Sequence, residues 1–162
     1  MPTRKLMMSA AIASLMAASP AMAEDPMIVS VKRLSLATAQ RIAQGAIDAC
    51  REKGIQIGVT VVDRDGVIQT QLRDTIAPPI TVPISYKKAY TAANLNAPSS
   101  ARADAALDRL DFLMLLAGGL PIQVGGALVG GVGVSGSPGS DVDEQCAQAG
   151  IDAVQDDLEM AM

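Results

Sequence analysis

The sequence predicts a single α/β domain, and three patterns along the chain predict it. Apolar residues recur with the 3.6-residue period of a helix between Ser35 and Lys53, and Gly54 stands where that helix should end. Two stretches with the residue pattern of β-strands lie on either side of Asp65-Gly66. The Asp-Gly pair is a strong signal for the turn of a β-hairpin. The apolar run from Gly118 to Gly136 contains eight glycines. A chain of 162 residues is expected to form one domain.

The middle of the chain predicts two further helices. Thr81 is expected to cap a helix that runs through Asn94, because Thr is a good N-cap and the proline that follows lies in the first turn. Ser99 or Ser100 is expected to open a shorter helix that ends near Leu110. The segment from Phe112 to Leu116 is compatible with either a strand or a helix end.

The last third of the chain predicts a second hairpin and a final helix. Gly125-Gly126 is the expected turn between two strands of the glycine-rich run. Asp141 and Glu144 have the spacing of a capping box, which predicts a helix beginning there. No internal repeat or long linker divides the chain.

The first 23 residues have the features of a secretory signal peptide. Arg4 and Lys5 precede an apolar run from Leu6 to Ala18, and Ala21-Met22-Ala23 is a typical small-residue cleavage site. The run is shorter than the roughly 20 residues that a membrane-spanning helix needs. We therefore expect cleavage after Ala23, a single domain over residues 24–162, a periplasmic or secreted location and no stable membrane insertion.

Composition excludes several function classes. The formal net charge is −4 and no basic stripe is present, which argues against nucleic acid as a partner. The chain has no histidine, so Ser-His and Cys-His nucleophiles and histidine-bound metals are excluded. There is no tryptophan, and the aromatic residues are Tyr86, Tyr90 and Phe112.

Cys50 and Cys146 lie on the first and the last predicted helix. In an oxidising compartment they would form a disulfide if the two helices lie side by side. The alternative is two unpaired cysteines that act as small core residues. The sequence leaves both open.

The glycine-rich run is interpreted as one open wall of a binding site. Repeated glycines in an apolar strand normally mark a turn, a bulge or a close approach of another group. Such a strand leaves room for a flat ligand or for the backbone of a second subunit. Gly131–Gly136 also spells G-x-G-x-x-G, but Pro138 and Gly139 follow where a nucleotide site needs the first turns of a helix. A nucleotide site is therefore not expected.

Several sequence blocks, in this order, resemble the GlcG/HbpS-like haem-binding family. The similarity extends from about Leu34 to Val154. The matching blocks are Val61-Val62-Asp63 with Gly66, Lys88-Ala89-Tyr90-Thr91-Ala92, Gly118-Gly119-Leu120-Pro121-Ile122, Val129-Gly130-Gly131-Val132-Gly133-Val134-Ser135-Gly136, Asp143, Cys146-Ala147 and Ala149-Gly150-Ile151.

The resemblance implies a profilin-like, three-layer α/β/α sandwich around an antiparallel sheet. It also implies binding of haem or a related tetrapyrrole and assembly into a symmetric homo-oligomer. Some members of the family are linked to glycolate use. The few aromatic residues and the many glycines on one strand agree with a domain that completes its burial between subunits.

On this basis the predicted function is non-catalytic binding of haem by an exported oligomer. Tyr86 or Tyr90 is the candidate axial ligand, through a phenolate oxygen, and Lys87 and Lys88 are candidates to meet the propionates. The predicted haem-binding residues are Tyr86, Lys87, Lys88, Tyr90, Gly118, Gly119, Gly130, Gly131 and Gly133.

Two alternatives remain at this point. One is an accessory protein or enzyme for a small hydroxy acid such as glycolate, with Lys88 and Ser135 contacting the carboxylate. The other is an oligomeric scaffold without a ligand, in which the glycine-rich strand is a tight subunit contact.

Overall fold

The structure, a computed structural model, describes residues 25–102 and 106–161. Within them a four-stranded antiparallel sheet has the strand order β2-β1-β4-β3. This arrangement confirms the predicted α/β fold. The elements are α1 (Leu36–Glu52), β1 (Gly58–Asp63), β2 (Ile68–Arg73), α2 (Thr81–Leu95), a 3₁₀ helix (Leu107–Arg109), β3 (Gly119–Val124), β4 (Ala127–Ser135), α3 (Ser140–Asp152) and α4 (Gln155–Met160).

The described residues from Val31 onward form one compact unit, of which residues 25–30 are not a part. Residues 25–30 contain neither helix nor strand. The predicted signal peptide, residues 1–23, lies outside the described residues. Among the described helices, none combines the length and the apolar character needed to cross a bilayer.

Helix α1 forms as the sequence predicts. Ser35 Oγ accepts a hydrogen bond from the Thr38 amide at 3.2 Å and so caps the helix. Its apolar stripe is buried against the sheet and against α3. A disulfide joins Cys50 of α1 to Cys146 of α3, with Cα atoms 5.6 Å apart. Of the two possibilities for the cysteines, the structure therefore has the bridge.

The two faces of the sheet carry side chains of different size where β1 pairs with β4. The register of this pairing places valine opposite valine on one face and glycine opposite Thr60 and Val62 on the other. Val59 lies opposite Val134 and Val61 opposite Val132, and these four valines belong to the main core beneath α1 and α3. On the other face Thr60 lies opposite Gly133 and Val62 opposite Gly131, and this face is covered by α2. One face is therefore a thick aliphatic core, whereas the other admits a helix at unusually short range.

The glycines of β4 allow this close approach of α2. A Cβ atom on Gly131 would lie 2.7 Å from the carbonyl oxygen of Ala89, and one on Gly133 would overlap the carbonyl oxygen of Ser85. Gly130 lies on the opposite face, towards Leu34. The predicted open wall is therefore wrong at Gly131 and Gly133, because helix α2 fills the space beside them.

Gly133→Ala is expected to lower the free energy of unfolding by about 1–3 kcal/mol, because the added methyl overpacks the contact with α2. It would meet backbone atoms, including the Ala89 nitrogen at 2.5 Å, which cannot rotate away. Gly139→Ala is the control: its methyl would meet only the flexible Asp141 side chain and should cost less than about 1 kcal/mol. Urea denaturation of both variants tests the difference, and equal midpoints would contradict this account of the glycines.

Two local predictions were wrong. In the described part of the segment after Ser99, turns and the short 3₁₀ helix replace the predicted helix. Helix α3 begins at Ser140 with Gly139 as its N-cap and without a side-chain capping bond. Glu144 instead accepts a hydrogen bond from the Gly118 amide at 3.2 Å, so its side chain serves a tertiary contact.

An ion pair holds the loop between β2 and α2. Arg51 donates two hydrogen bonds to the buried carboxylate of Asp74, at 2.7 and 2.8 Å. The hydrogen bond from Arg51, helped by the Thr75 amide, holds the pKa of Asp74 below its ordinary value. This contact fixes the end of β2 relative to α1, and through the loop it places the start of α2.

Candidate functional site

The three aromatic side chains of the protein meet on the outer face of α2. Tyr86 and Tyr90 are one helical turn apart, with ring centroids separated by 6.0 Å. Phe112, from the loop before β3, lies edge-on to Tyr90 at 6.1 Å. With Lys87 they line a depression of about 210 Å³, which we call the tyrosine depression. Three of the predicted haem-binding residues are therefore brought together.

The loop that carries Phe112 is attached to α2 by hydrogen bonds. Lys87 Nζ donates to the carbonyl of Asp111 at 2.5 Å. Thr91 Oγ1 accepts from the Met114 amide at 2.9 Å and donates to the Lys87 carbonyl at 2.7 Å. Because these contacts flank Phe112 on both sides, its ring is held over the helix.

The depression offers an apolar aromatic surface, made by rings inclined to one another by 60° and 85°, with polar groups at its edge. Within the part of the chain that the structure describes, neither tyrosine hydroxyl has a hydrogen-bond partner, so both phenol oxygens are free for a ligand. Gly66 allows the ring of Tyr90 to lie against the β1–β2 turn, since a Cβ there would come within 2.6 Å of it. At about 210 Å³ the depression is smaller than the roughly 300–1,000 Å³ of complete small-molecule sites, so it has room for only part of a large ligand.

Lys88 does not reach the tyrosine depression. Its ammonium group is buried and donates to Asp143 Oδ2 at 2.8 Å, across the end of the sheet. Asp143 also accepts from the Ser137 amide at 3.0 Å. The prediction that Lys88 meets a propionate is therefore wrong in this structure. The contact residues of the hydroxy-acid alternative, Lys88 and Ser135, are both buried.

Gly118 lies beside the same buried pair, and Gly119 packs against the backbone of Lys88. Gly118 has φ +111°, and a Cβ there would lie 2.8 Å from Lys88 Nζ. The Gly119 amide donates to Ser99 Oγ at 3.0 Å, and its carbonyl accepts from the Ser99 amide at 2.8 Å. These glycines therefore let β3 begin between α2 and α3, and they lie apart from the aromatic side chains.

Sequence reasoning gave no site role to two residues that matter here. Phe112 completes the tyrosine depression, and its signal was the scarcity of aromatic residues together with the apolar loop around it. Asp143 neutralises Lys88, and no local pattern points to it because the partners are 55 residues apart.

Comparison with known protein families shows to which family the chain belongs. Residues 34–152 match the family model described as haem degrading protein HbpS-like. The chain belongs to the HbpS-like family. This result confirms the resemblance seen in the sequence.

Solved structures agree with this assignment. A double mutant of HbpS from Streptomyces reticuli is 36% identical, with a TM-score of 0.74, and the match covers 85% of this chain and 98% of that one. A second HbpS structure is 35% identical, with a TM-score of 0.75 and coverage of 82% and 98%. Klebsiella pneumoniae protein ORFY is 25% identical, with a TM-score of 0.75 and coverage of 81% and 97%. Among curated proteins, none matches this HbpS-like chain.

Proposed function

We propose that this HbpS-like protein is an exported, non-catalytic haem-binding protein that forms a homo-oligomer. The observation that carries haem binding is the family match over residues 34–152, because the family model is described as a haem degrading protein and a protein that degrades haem must bind it. The identity of 36% with HbpS supports it. Among the described residues, those of the tyrosine depression combine aromatic rings with phenol oxygens, a chemistry that suits a flat apolar ligand with an iron centre.

The residues of the depression fit haem in three respects. The rings of Tyr86, Tyr90 and Phe112 supply an apolar aromatic surface for the porphyrin. A phenol oxygen is an established type of ligand for ferric haem iron, and among the described residues neither tyrosine hydroxyl has a hydrogen-bond partner. Lys87 places a cation at the edge, where propionates would be exposed to water. Haem would supply its own iron chemistry, and the chain's residues would bind and orient it.

Titration with haemin tests the proposal directly. We expect a Soret band that shifts and sharpens as the purified protein is added, and that saturates at a defined ratio. The absence of any spectral change with excess haem would overturn the proposal and leave a ligand-free oligomeric scaffold in its place.

Tyr86→Phe and Tyr90→Phe are expected to separate ligation from packing, because each removes one phenol oxygen and keeps the ring. If a phenolate binds the iron, one of the two variants should lose the wild-type charge-transfer and Soret positions, while the other keeps them. Phe112→Ala should leave the spectrum unchanged and raise the Kd for haem by up to about tenfold. This increase corresponds to the loss of one aromatic contact, which contributes ~0.5–1.5 kcal/mol to binding. Unchanged spectra and affinities in all three variants would place the haem elsewhere on the chain.

The absence of catalysis is tested on the haem-loaded protein. With ascorbate and oxygen present, we expect the Soret band to persist at the rate of loss seen for haem bound to an inert carrier such as serum albumin. Accelerated bleaching with release of iron would instead make the protein an enzyme that degrades haem.

Export is expected to leave Glu24 as the N-terminus. Ala21 and Ala23 have the small side chains that signal peptidases accept, and N-terminal sequencing of the protein from the cell envelope checks this. Recovery of chains that begin at Met1 would contradict export by cleavage. Multi-angle light scattering tests the homo-oligomer, and a monomer at all micromolar concentrations would refute it.

A further inference from the structure

Residues 110–116 form an apolar segment on the surface of the compact unit, and we call this segment the leucine run. Six of its seven residues are large and apolar, namely four leucines, Phe112 and Met114. None of the seven is buried, and Phe112, Leu116 and Leu110 are 55%, 52% and 38% exposed. A single exposed leucine is ordinary on a protein surface, but a patch of neighbouring apolar side chains is typical of an interaction site.

The leucine run is held in place by α2 and by the loop that follows this helix. Its start and its middle are attached to α2 by the hydrogen bonds of Lys87 and Thr91. At its end, Ser99 Oγ donates a hydrogen bond to the carbonyl of Leu116. A surface segment that is already ordered loses little conformational entropy when it binds a partner. The run is therefore a preformed apolar surface.

The charges at the start of the leucine run favour a second copy of the chain as its partner. Asp108, Arg109 and Asp111 are exposed, and within the part of the chain that the structure describes none of them belongs to an ion pair. Both signs of charge therefore lie within four residues. A two-fold axis beside this segment would bring Arg109 of each copy close to an aspartate of the other, so the charges are self-complementary.

A lipid surface fits the same charges less well. Segments that lie on membranes carry an excess of Lys and Arg beside their apolar residues, because these bind anionic head groups. Here Asp108 and Asp111 outnumber Arg109 at the start of the run, and the whole chain has a formal net charge of −4. An anionic membrane would repel this surface, whereas a second copy would neutralise it.

We propose that two copies of the chain associate about a two-fold axis through their leucine runs. Leu110 and Leu116 lie in the contact, and Arg109 of each copy pairs with an aspartate of the other at its edge, which gives the apolar centre and charged rim usual for interfaces. Phe112 belongs both to the run and to the tyrosine depression, so the second copy lies at the edge of a site that by itself has room for only part of a large ligand. This inference rests on the proposed homo-oligomer and names the contact that forms it.

Leu110→Glu combined with Leu116→Glu, the leucine variant, should raise the dimer dissociation constant by roughly 100-fold or more. The reason is that four leucines of the two copies lose their burial and acidic groups enter the contact. Ile76→Glu combined with Ile80→Glu is the matched control, because it adds the same charges to residues that are 76% and 61% exposed before α2. Sedimentation velocity over a concentration series measures both constants. An unchanged constant in the leucine variant, or an equal change in the control, would overturn the contact.

Exchange of charges at the rim tests the choice of partner. Arg109→Asp makes the rim wholly acidic, and Asp108→Arg with Asp111→Asn makes it wholly basic. Each of these chains alone should dissociate more readily than the wild type at low salt, because like charges face each other across the axis, and an equimolar mixture should restore association. A mixture that associates no more tightly than its components would overturn the proposal. So would flotation of the wild type, but not of the leucine variant, with phosphatidylglycerol vesicles, which would assign the run to a membrane.

These outcomes are separable from those of the proposed function. Dimers that persist in the leucine variant refute this contact but not the homo-oligomer, whereas a monomeric wild type refutes both. The leucine variant should still shift the Soret band, because it keeps Tyr86, Tyr90 and Phe112. Loss of the dimer and failure to bind haem are therefore measured in different assays.

Discussion

Lys88→Met is expected to lower the free energy of unfolding by about 3–5 kcal/mol, because it leaves the carboxylate of Asp143 buried without its counter-ion. Lys88 Nζ and Asp143 Oδ2 are 2.8 Å apart, and both side chains are at least 96% buried. The methionine keeps most of the apolar length of the lysine side chain. The expected loss of stability therefore measures the effect of the unpaired Asp143 charge and not that of a cavity.

Two further variants test that explanation in urea denaturation. Lys88→Met with Asp143→Asn removes both charges and keeps an oxygen that can accept the Ser137 amide, so it should recover most of the lost stability. Lys53→Met, on the exposed end of α1, should change stability by less than about 0.5 kcal/mol. A double variant as unstable as Lys88→Met would show that the buried pair is not the cause.

Replacing both cysteines by alanine is expected to lower the free energy of unfolding by about 4–5 kcal/mol. The Cys50–Cys146 bridge closes a loop with a sequence separation of 96, and the stabilisation from restricting the unfolded chain increases with loop length. Guanidinium denaturation of the variant measures the loss.

Reduction of the wild-type protein is the natural control for the double substitution. Denaturation in the presence of dithiothreitol should reproduce the stability of the variant, because both lack the same covalent link. Equal stability of the oxidised protein and the variant would contradict the prediction. Free thiols in the denatured protein from the cell envelope would contradict the bridge itself.

Most of the secondary structure was predictable from the sequence, because it depends on neighbours along the chain. Helix α1 follows from the cap at Ser35 and its apolar period, and the structure has both. The turns at Gly66 and at Gly125-Gly126 follow from residues that tolerate positive φ, which all three adopt. Even α2 begins and ends within a residue of the prediction.

The candidate site was predictable only in part. Sequence similarity indicated haem, and the chemistry of their side chains made Tyr86, Lys87 and Tyr90 candidates to bind it. The two tyrosines are spaced by one helical turn, which places their rings together. Phe112 joins them only because Lys87 and Thr91 hold its loop, and these contacts bridge more than 20 residues. Whether the four residues bind haem stays a prediction.

Only the tertiary structure decided the roles of Lys88 and the glycines of β4. The same glycines would suit a ligand, a second subunit or a helix of the same chain. A glycine indicates that another group approaches the backbone closely, but it does not indicate which group that is. The same lysine would suit a propionate or a buried carboxylate, and its burial beside Asp143 settles which it meets here. Local residues determine the elements of this protein, whereas the pairing of faces and charges depends on how those elements pack.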